Sequence, residues 1–256
     1  MRRWLTAQYD WTGLARLFYT SPAWEVIALI IIGVLVVLGF VIFHGPVVTD
    51  RVELNTFAPK EIIHVLDLIM AGGLSFFLLS NVFRMYRYII HRGVRGKVPF
   101  SLYITETWNL LYHFVTQNRF SKCEDRRRWI NHLLLVSGYV IMFILVVGLL
   151  FWFQTDNLYP IYHPQRWVGY YATIVLIYAS ADVLWGRIKK EHQIHRFSHL
   201  SDWIFPILLI LVAVSGIVTH SSRYLGWPLT AYYSYVAHLA IAVPMLVVNY
   251  IIITRF

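Results

Sequence analysis

The sequence predicts an all-α integral membrane bundle of six transmembrane helices with both termini cytoplasmic, plus interfacial helices. Three observations carry that expectation. Hydrophobic residues make up 58% of the chain and charged ones 14%, with a mean hydropathy of +0.58, against roughly 45–50% and 25% in soluble domains. Six stretches approach the ~20 apolar residues that a bilayer core demands. Lysine and arginine are spread unevenly among the connections, and that bias orients a membrane chain.

The six stretches run from Trp24 to Phe43, Ile62 to Ile90, Trp129 to Phe153, Trp167 to Trp185, Trp203 to His220 and Thr230 to Ile253. The first has no small-residue cleavage site behind it, so it is expected to remain as a span rather than be removed as a signal peptide. Before it, Trp4 to Phe18 carries a weak amphipathic pattern. The connection from Arg84 to Arg128 is too long for a turn, and Ile104, Trp108, Leu111 and Val115 recur in it at helical spacing. A helix lying in the cytoplasmic interface is predicted there. Residues 1–256 read as one transmembrane domain, because each span satisfies its own backbone hydrogen bonds.

Orientation follows from the basic residues. Eighteen lie in the N-terminus, the second-to-third and fourth-to-fifth connections and the C-terminus, whereas only Arg51, Lys60, Arg166 and Arg223 fall on the other side. The larger set is assigned to the cytoplasm. The net charge of +9 is thereby explained by topology, lipid headgroups and acidic partners, and nucleic acid is not expected as a partner. Tryptophan and tyrosine gather at span ends, as in Trp129, Trp152, Trp167, Trp185, Trp203 and Trp227, which is the aromatic belt of a bilayer protein. The single cysteine, Cys123, excludes an intrachain disulfide and a four-cysteine iron–sulfur cluster held by this chain alone.

Ionisable groups within spans are costly enough to mark candidate sites. His132 sits just inside the third span, next to Arg126-Arg127-Arg128. His238 lies about eight residues into the sixth, roughly 12 Å below its outer end at 1.5 Å per residue. His64 opens the second span, His220 closes the fifth, and His199 precedes the fifth at the inner face. Imidazoles from two helices can hold a haem between them, and histidines near both faces could hold two haems stacked across the membrane. The small residues Ser137-Gly138, Ser215-Gly216, Ala240 and Ala242 would let a macrocycle approach, although small residues also simply pack helices. Asp67, one turn from His64, could orient that ring, exchange a proton with a quinol, or pair with Lys60 or water. Asp182, about a turn from Arg187, reads as an ion-pairing residue. Arg84, Arg87 and Arg128 could pair with haem propionates or with lipid phosphate. His44, His91, His113, His163, His192 and His195 read as ordinary interfacial histidines.

The segments RRRWINHLLLVSGYV, YPIYHPQRWVGYYAT, HRFSHLSDWIFPILLILVAVSGIVTH and YYSYVAHLAIAVPMLV occur in that order. Together they resemble the b-type cytochrome family that includes the gamma subunit of respiratory nitrate reductase and the membrane cytochrome of heterodisulfide reductase-like complexes. The resemblance covers roughly Arg126 to Val248. It implies haem b held through histidines on the third and sixth spans, with His132 as an inner ligand and His238 as an outer one. It also implies exchange of electrons with menaquinone, a cytoplasmic iron–sulfur subunit of the heterodisulfide reductase-like type as partner, and a place in a prokaryotic cytoplasmic membrane.

Two departures stand out. Where the family has a second histidine about ten residues along the third span this chain has Met142, and the family's histidine near the inner end of the last span is missing from Asn249 to Phe256. The missing ligands would come from His64 or His220 beside His238, and from His199 beside His132. Two other classes stay open at this point: a proton-coupled transporter using the histidines and Asp67, and a haem-free structural membrane anchor.

Overall fold

A computed structural model describes residues 10–93, 99–118, 126–190, 195 and 200–253. Among these residues every regular element is helical and no strand occurs. The helices are α1 (Leu14–Thr20), α2 (Pro22–Phe43), α3 (Leu54–Phe57), α4 (Lys60–Gly93), α5 (Phe100–Thr116), α6 (Arg126–Phe143), α7 (Leu150–Phe153), α8 (Pro164–Lys189), α9 (Leu200–Tyr224) and α10 (Pro228–Ile253). A π-helical turn, Ile144–Gly148, joins α6 to α7. Six segments are long and apolar enough to cross a bilayer: Pro22–Phe43, Lys60–Arg84, Arg126–Gly148, Pro164–Lys189, Asp202–Tyr224 and Pro228–Val247. The chain is a multi-pass membrane protein built as an all-α bundle. "Inner" below denotes the basic face and "outer" the opposite one.

Local chemistry starts the helices where they start. Ser21 caps α2, its hydroxyl accepting from the Ala23 N–H at 3.3 Å, with Pro22 in the first turn. His163 caps α8 in the same way through Nδ1 and the Gln165 N–H, with Pro164 following. Proline suits the first helical position because its missing N–H would be unsatisfied there anyway. Pro206 and Pro244 lie inside α9 and α10, a placement that packed membrane helices tolerate.

The spans pack on one another in a defined order. α10 packs against α2 and α9, α8 packs against α9 and α6, and α4 touches the π turn, α7 and α10. Close approach at α6 and α8 needs Gly138, where a Cβ would lie 2.6 Å from Val175 Cγ2 and 3.2 Å from the Ala172 carbonyl oxygen. Small residues at helix contacts let backbones pack tightly when hydrophobic burial offers no drive between helices. By contrast α2 buries only Glu25, so its apolar surface is left for lipid.

An outer cap covers the bundle between the first and second spans. Phe57 of α3 stacks on Phe40 at 6.0 Å and on Tyr232 at 4.7 Å between ring centroids. The Tyr232 hydroxyl donates to the Val48 carbonyl at 2.9 Å and accepts from the Glu53 N–H at 3.1 Å. Such aromatic pairs contribute roughly 0.5–1.5 kcal/mol beyond the area they bury. At the inner end Trp11 donates its indole N–H to Ser80 at 2.8 Å, and Phe18 of α1 packs on Ala28, Leu74 and Phe77.

The predicted interfacial helix is present as α5, none of whose residues is buried. Of the Trp4 to Phe18 segment, residues 4–9 lie outside the described residues; its end belongs to α1. Two boundaries move in a way that matters for the site. α8 begins at Pro164, so Arg166 is a helical residue rather than a loop residue. α9 continues to Tyr224, so His220 lies a turn inside its end.

Candidate functional site

A cavity of about 670 Å³ opens in the outer half between the third, fourth, fifth and sixth spans. Its wall includes Met142, Arg166, Tyr170, Gly216, His220, Arg223 and His238. The size falls within the roughly 300–1,000 Å³ of small-molecule and cofactor sites.

His238 is half-buried on α10. Its Nδ1 lies 3.1 Å from the Val212 carbonyl oxygen and 3.0 Å from the Ser215 hydroxyl oxygen, both on α9. A carbonyl only accepts, so Nδ1 carries the proton and Nε2 keeps its lone pair. A hydrogen bond of this kind fixes the tautomer and orientation of a metal-binding imidazole. Gly216 makes the seat: a Cβ there would come within 3.3 Å of His238 Cε1.

His220 stands on the same wall in a different state. Arg166 donates from Nη1 to His220 Nδ1 at 2.7 Å, and His220 Nε2 lies 2.9 Å from the Tyr170 hydroxyl. Guanidinium is a pure donor, so Nδ1 accepts and Nε2–H donates to tyrosine. Both ring nitrogens are therefore occupied. Arg166 is only 9% exposed and also donates from Nε to the Tyr159 carbonyl at 3.2 Å. Arg223 donates to the Thr155 carbonyl. Two guanidinium groups thus line one membrane cavity.

His64 does not line this cavity. Its ring meets the Phe151 ring edge-on at 4.9 Å, and its buried Nδ1 has no hydrogen-bond partner among the described residues. Asp67, one turn further along α4, is buried at 9% exposure. Tyr235 donates to Gln154 Oε1 at 3.2 Å, and Gln154 donates to Asn55 Oδ1 at 3.3 Å. Of His64, Asp67, His220 and Arg223, the last two line the cavity and the first two do not.

At the inner end, His132 is exposed on α6, with Nδ1 2.5 Å from Gln117 Oε1. Trp129 donates to the Thr116 carbonyl at 3.3 Å, so both contacts fasten the end of α5 to the third span. Asp182 accepts from Arg127 and Asn131; the ion pair expected of it reaches across to α6. His199, the expected partner of His132, lies outside the described residues. Arg84, Arg87 and Arg128 are exposed.

The small residues sort differently from one another. Gly216 faces His238, whereas Gly138 packs on α8 and Ser137 bonds the Tyr171 hydroxyl at 2.9 Å. Ala240 presents its carbonyl to Gly33, where a Cβ would lie 3.0 Å away. Sequence reasoning missed Arg166, taken for a loop charge, and Glu25, fully buried in the first span. Glu25 is the one acid in α2, so the rule that singled out Asp67 would have found it.

Among the described residues no three His, Cys, Asp or Glu side chains gather as a metal-ion site. A haem asks for less, since the porphyrin brings four nitrogens and the protein only axial ligands. The residues at His238 fit that need: a fixed tautomer, an available Nε2, a glycine seat and a cavity beside it. The chain matches no protein-family model, no curated protein and no solved structure.

Proposed function

We propose that the chain is the haem b-carrying membrane subunit of a respiratory complex in a prokaryotic cytoplasmic membrane. It passes electrons between menaquinol or menaquinone and a cytoplasmic iron–sulfur subunit of the heterodisulfide reductase-like type. The observation that carries this reading is His238, whose Nδ1–H is committed to Val212 and Ser215 while its ring lines a cavity of about 670 Å³. Bound there, haem b supplies reversible one-electron chemistry.

The chain's own residues then have defined tasks. His238 would hold the haem iron through Nε2, and Gly216 leaves room for its ring. Arg166 and Arg223 put positive charge in the cavity wall, suited to the carboxylates that a b haem carries. His132, with His199, is the ligand pair proposed for the inner side. Asp67 takes the proton released by the quinol, and the unpartnered Nδ1 of His64 suits a quinone oxygen. Exposed Arg84, Arg87 and Arg128 offer the basic surface on which an acidic partner docks.

A pyridine haemochrome assay on the purified, dithionite-reduced chain tests the reading. Two b haems per chain are expected, and a haem-free preparation would falsify it. Asp67→Asn is expected to slow menaquinol oxidation on the order of a hundredfold with haem content unchanged. Unaltered turnover would remove Asp67 from the site.

A further inference from the structure

We infer that Met142 is the axial ligand opposite His238, so that the outer haem is held by one thioether and one imidazole. This rests on the haem reading above and specifies its outer site.

The topology supplies the first argument. The third span packs on the fourth, the fourth on the fifth and the fifth on the sixth, while the third and sixth are not a closely packed pair. The cavity is the space those four spans enclose, with Met142 on the third and His238 on the sixth both in its wall. A planar group in a helix bundle takes its ligands from facing helices, and Met142 and His238 come to the cavity from two different spans.

The second argument is an inventory of donors. Side chains in the wall whose atoms bind iron readily are Met142, Tyr170, His220, Tyr224 and His238. His220 accepts from Arg166 at one nitrogen and meets Tyr170 at the other, so ligation by His220 or by Tyr170 would give up a hydrogen bond already made between them. Tyr224 is 55% exposed at the end of α9. Met142 is half-buried and packs with the Leu176, Leu209 and Met245 cluster, and a thioether has no competing hydrogen bond to lose.

The backbone supplies the third. The π turn Ile144–Gly148 begins two residues after Met142, closed by the Leu149 N–H on the Ile144 carbonyl at 3.0 Å. Turns of this kind inside α-helices are rare and frequently sit at functional sites. Here the turn changes the helical register just beyond Met142, so the residues around it face directions that a continuous α-helix would not give them.

A thioether is a softer ligand than imidazole and favours the reduced iron, raising the reduction potential above that of a bis-histidine haem. The outer haem should therefore be the higher-potential one of the two.

The test uses the full chain in lipid nanodiscs, oxidised, read by near-infrared magnetic circular dichroism for the sulfur-to-ferric-iron charge-transfer band and by redox titration. The wild type is expected to show the band. Met142→Leu should lose it and lower the outer potential. Met142→His should replace it with a bis-imidazole low-spin signal at lower potential, and it keeps the assignment testable if the leucine variant fails to fold. His220→Gln should keep the band. A haem-loaded wild type without the band, or a Met142→Leu chain that retains it, overturns the assignment. A chain without any haem overturns the functional reading along with it, whereas haem present without the band overturns the ligand assignment alone.

Discussion

The two ends of the bundle engage their histidines through the same ring nitrogen but with different partners. At the outer end His238 is anchored to a backbone carbonyl and a hydroxyl, beside a cavity that two arginines share. At the inner end His132 is exposed and bonded to Gln117 just past the end of α5, and the neighbouring Arg127 and Asn131 both donate to Asp182. The outer contacts tie the His238 ring to the neighbouring span. The inner contacts fasten a surface helix to a span. A histidine's depth thus says less about its role than what its nitrogens already touch.

The largest expected effect breaks that contrast directly. On the proposed two-haem reading, His238→Ala should remove the outer haem and His132→Ala the inner one, each leaving about half of the haem, read as haem per chain with the spectrum of the survivor. Loss of both haems from either substitution would mean that the two ends do not act as separate sites.

Glycines sharpen it at the next level. Gly216→Val pushes its side chain into His238, 3.3 Å from the nearest ring atom even at Cβ, and should shift the outer haem's spectrum and potential. Gly138→Ala puts a Cβ 2.6 Å from Val175 and should destabilise the fold by about 1–3 kcal/mol through overpacking, with the haem spectrum unchanged. A spectral change from Gly138→Ala would show that this glycine serves a haem as well as a helix contact.

Smaller effects are expected where charges are exposed. Asp182→Asn should lower stability by at most about 1 kcal/mol, since the Arg127 partner is mostly solvated. In the outer cap, the Thr56 hydroxyl and then the Arg51 guanidinium hold the Glu53 carboxyl below its usual range. A depressed carboxyl contributes stability above its unfolded value and loses it as pH falls through the folded one. Glu53→Gln should therefore lower the thermal midpoint slightly at neutral pH, with the difference vanishing in acid. A difference that persists in acid would assign the effect to lost packing.

Much of the fold was legible because a bilayer imposes one-dimensional rules. Span length, basic connections and the spacing of Ile104, Trp108, Leu111 and Val115 are local properties, and six crossing helices and α5 follow from them. The site was legible only in part. His238 stood out by depth, yet its anchor on Val212 lies 26 residues away, and Arg166 reaches His220 across 54. Met142 reads in sequence as a lost histidine, and its place in the cavity wall beside His238 emerges only once four spans surround one space.

The sequence by itself determined that this chain crosses a membrane six times, because burying twenty apolar residues in lipid depends on composition and hardly at all on neighbours. The tertiary structure decided what each histidine nitrogen touches, because hydrogen bonds between helices depend on rotation and register, which hydrophobicity in lipid does not specify.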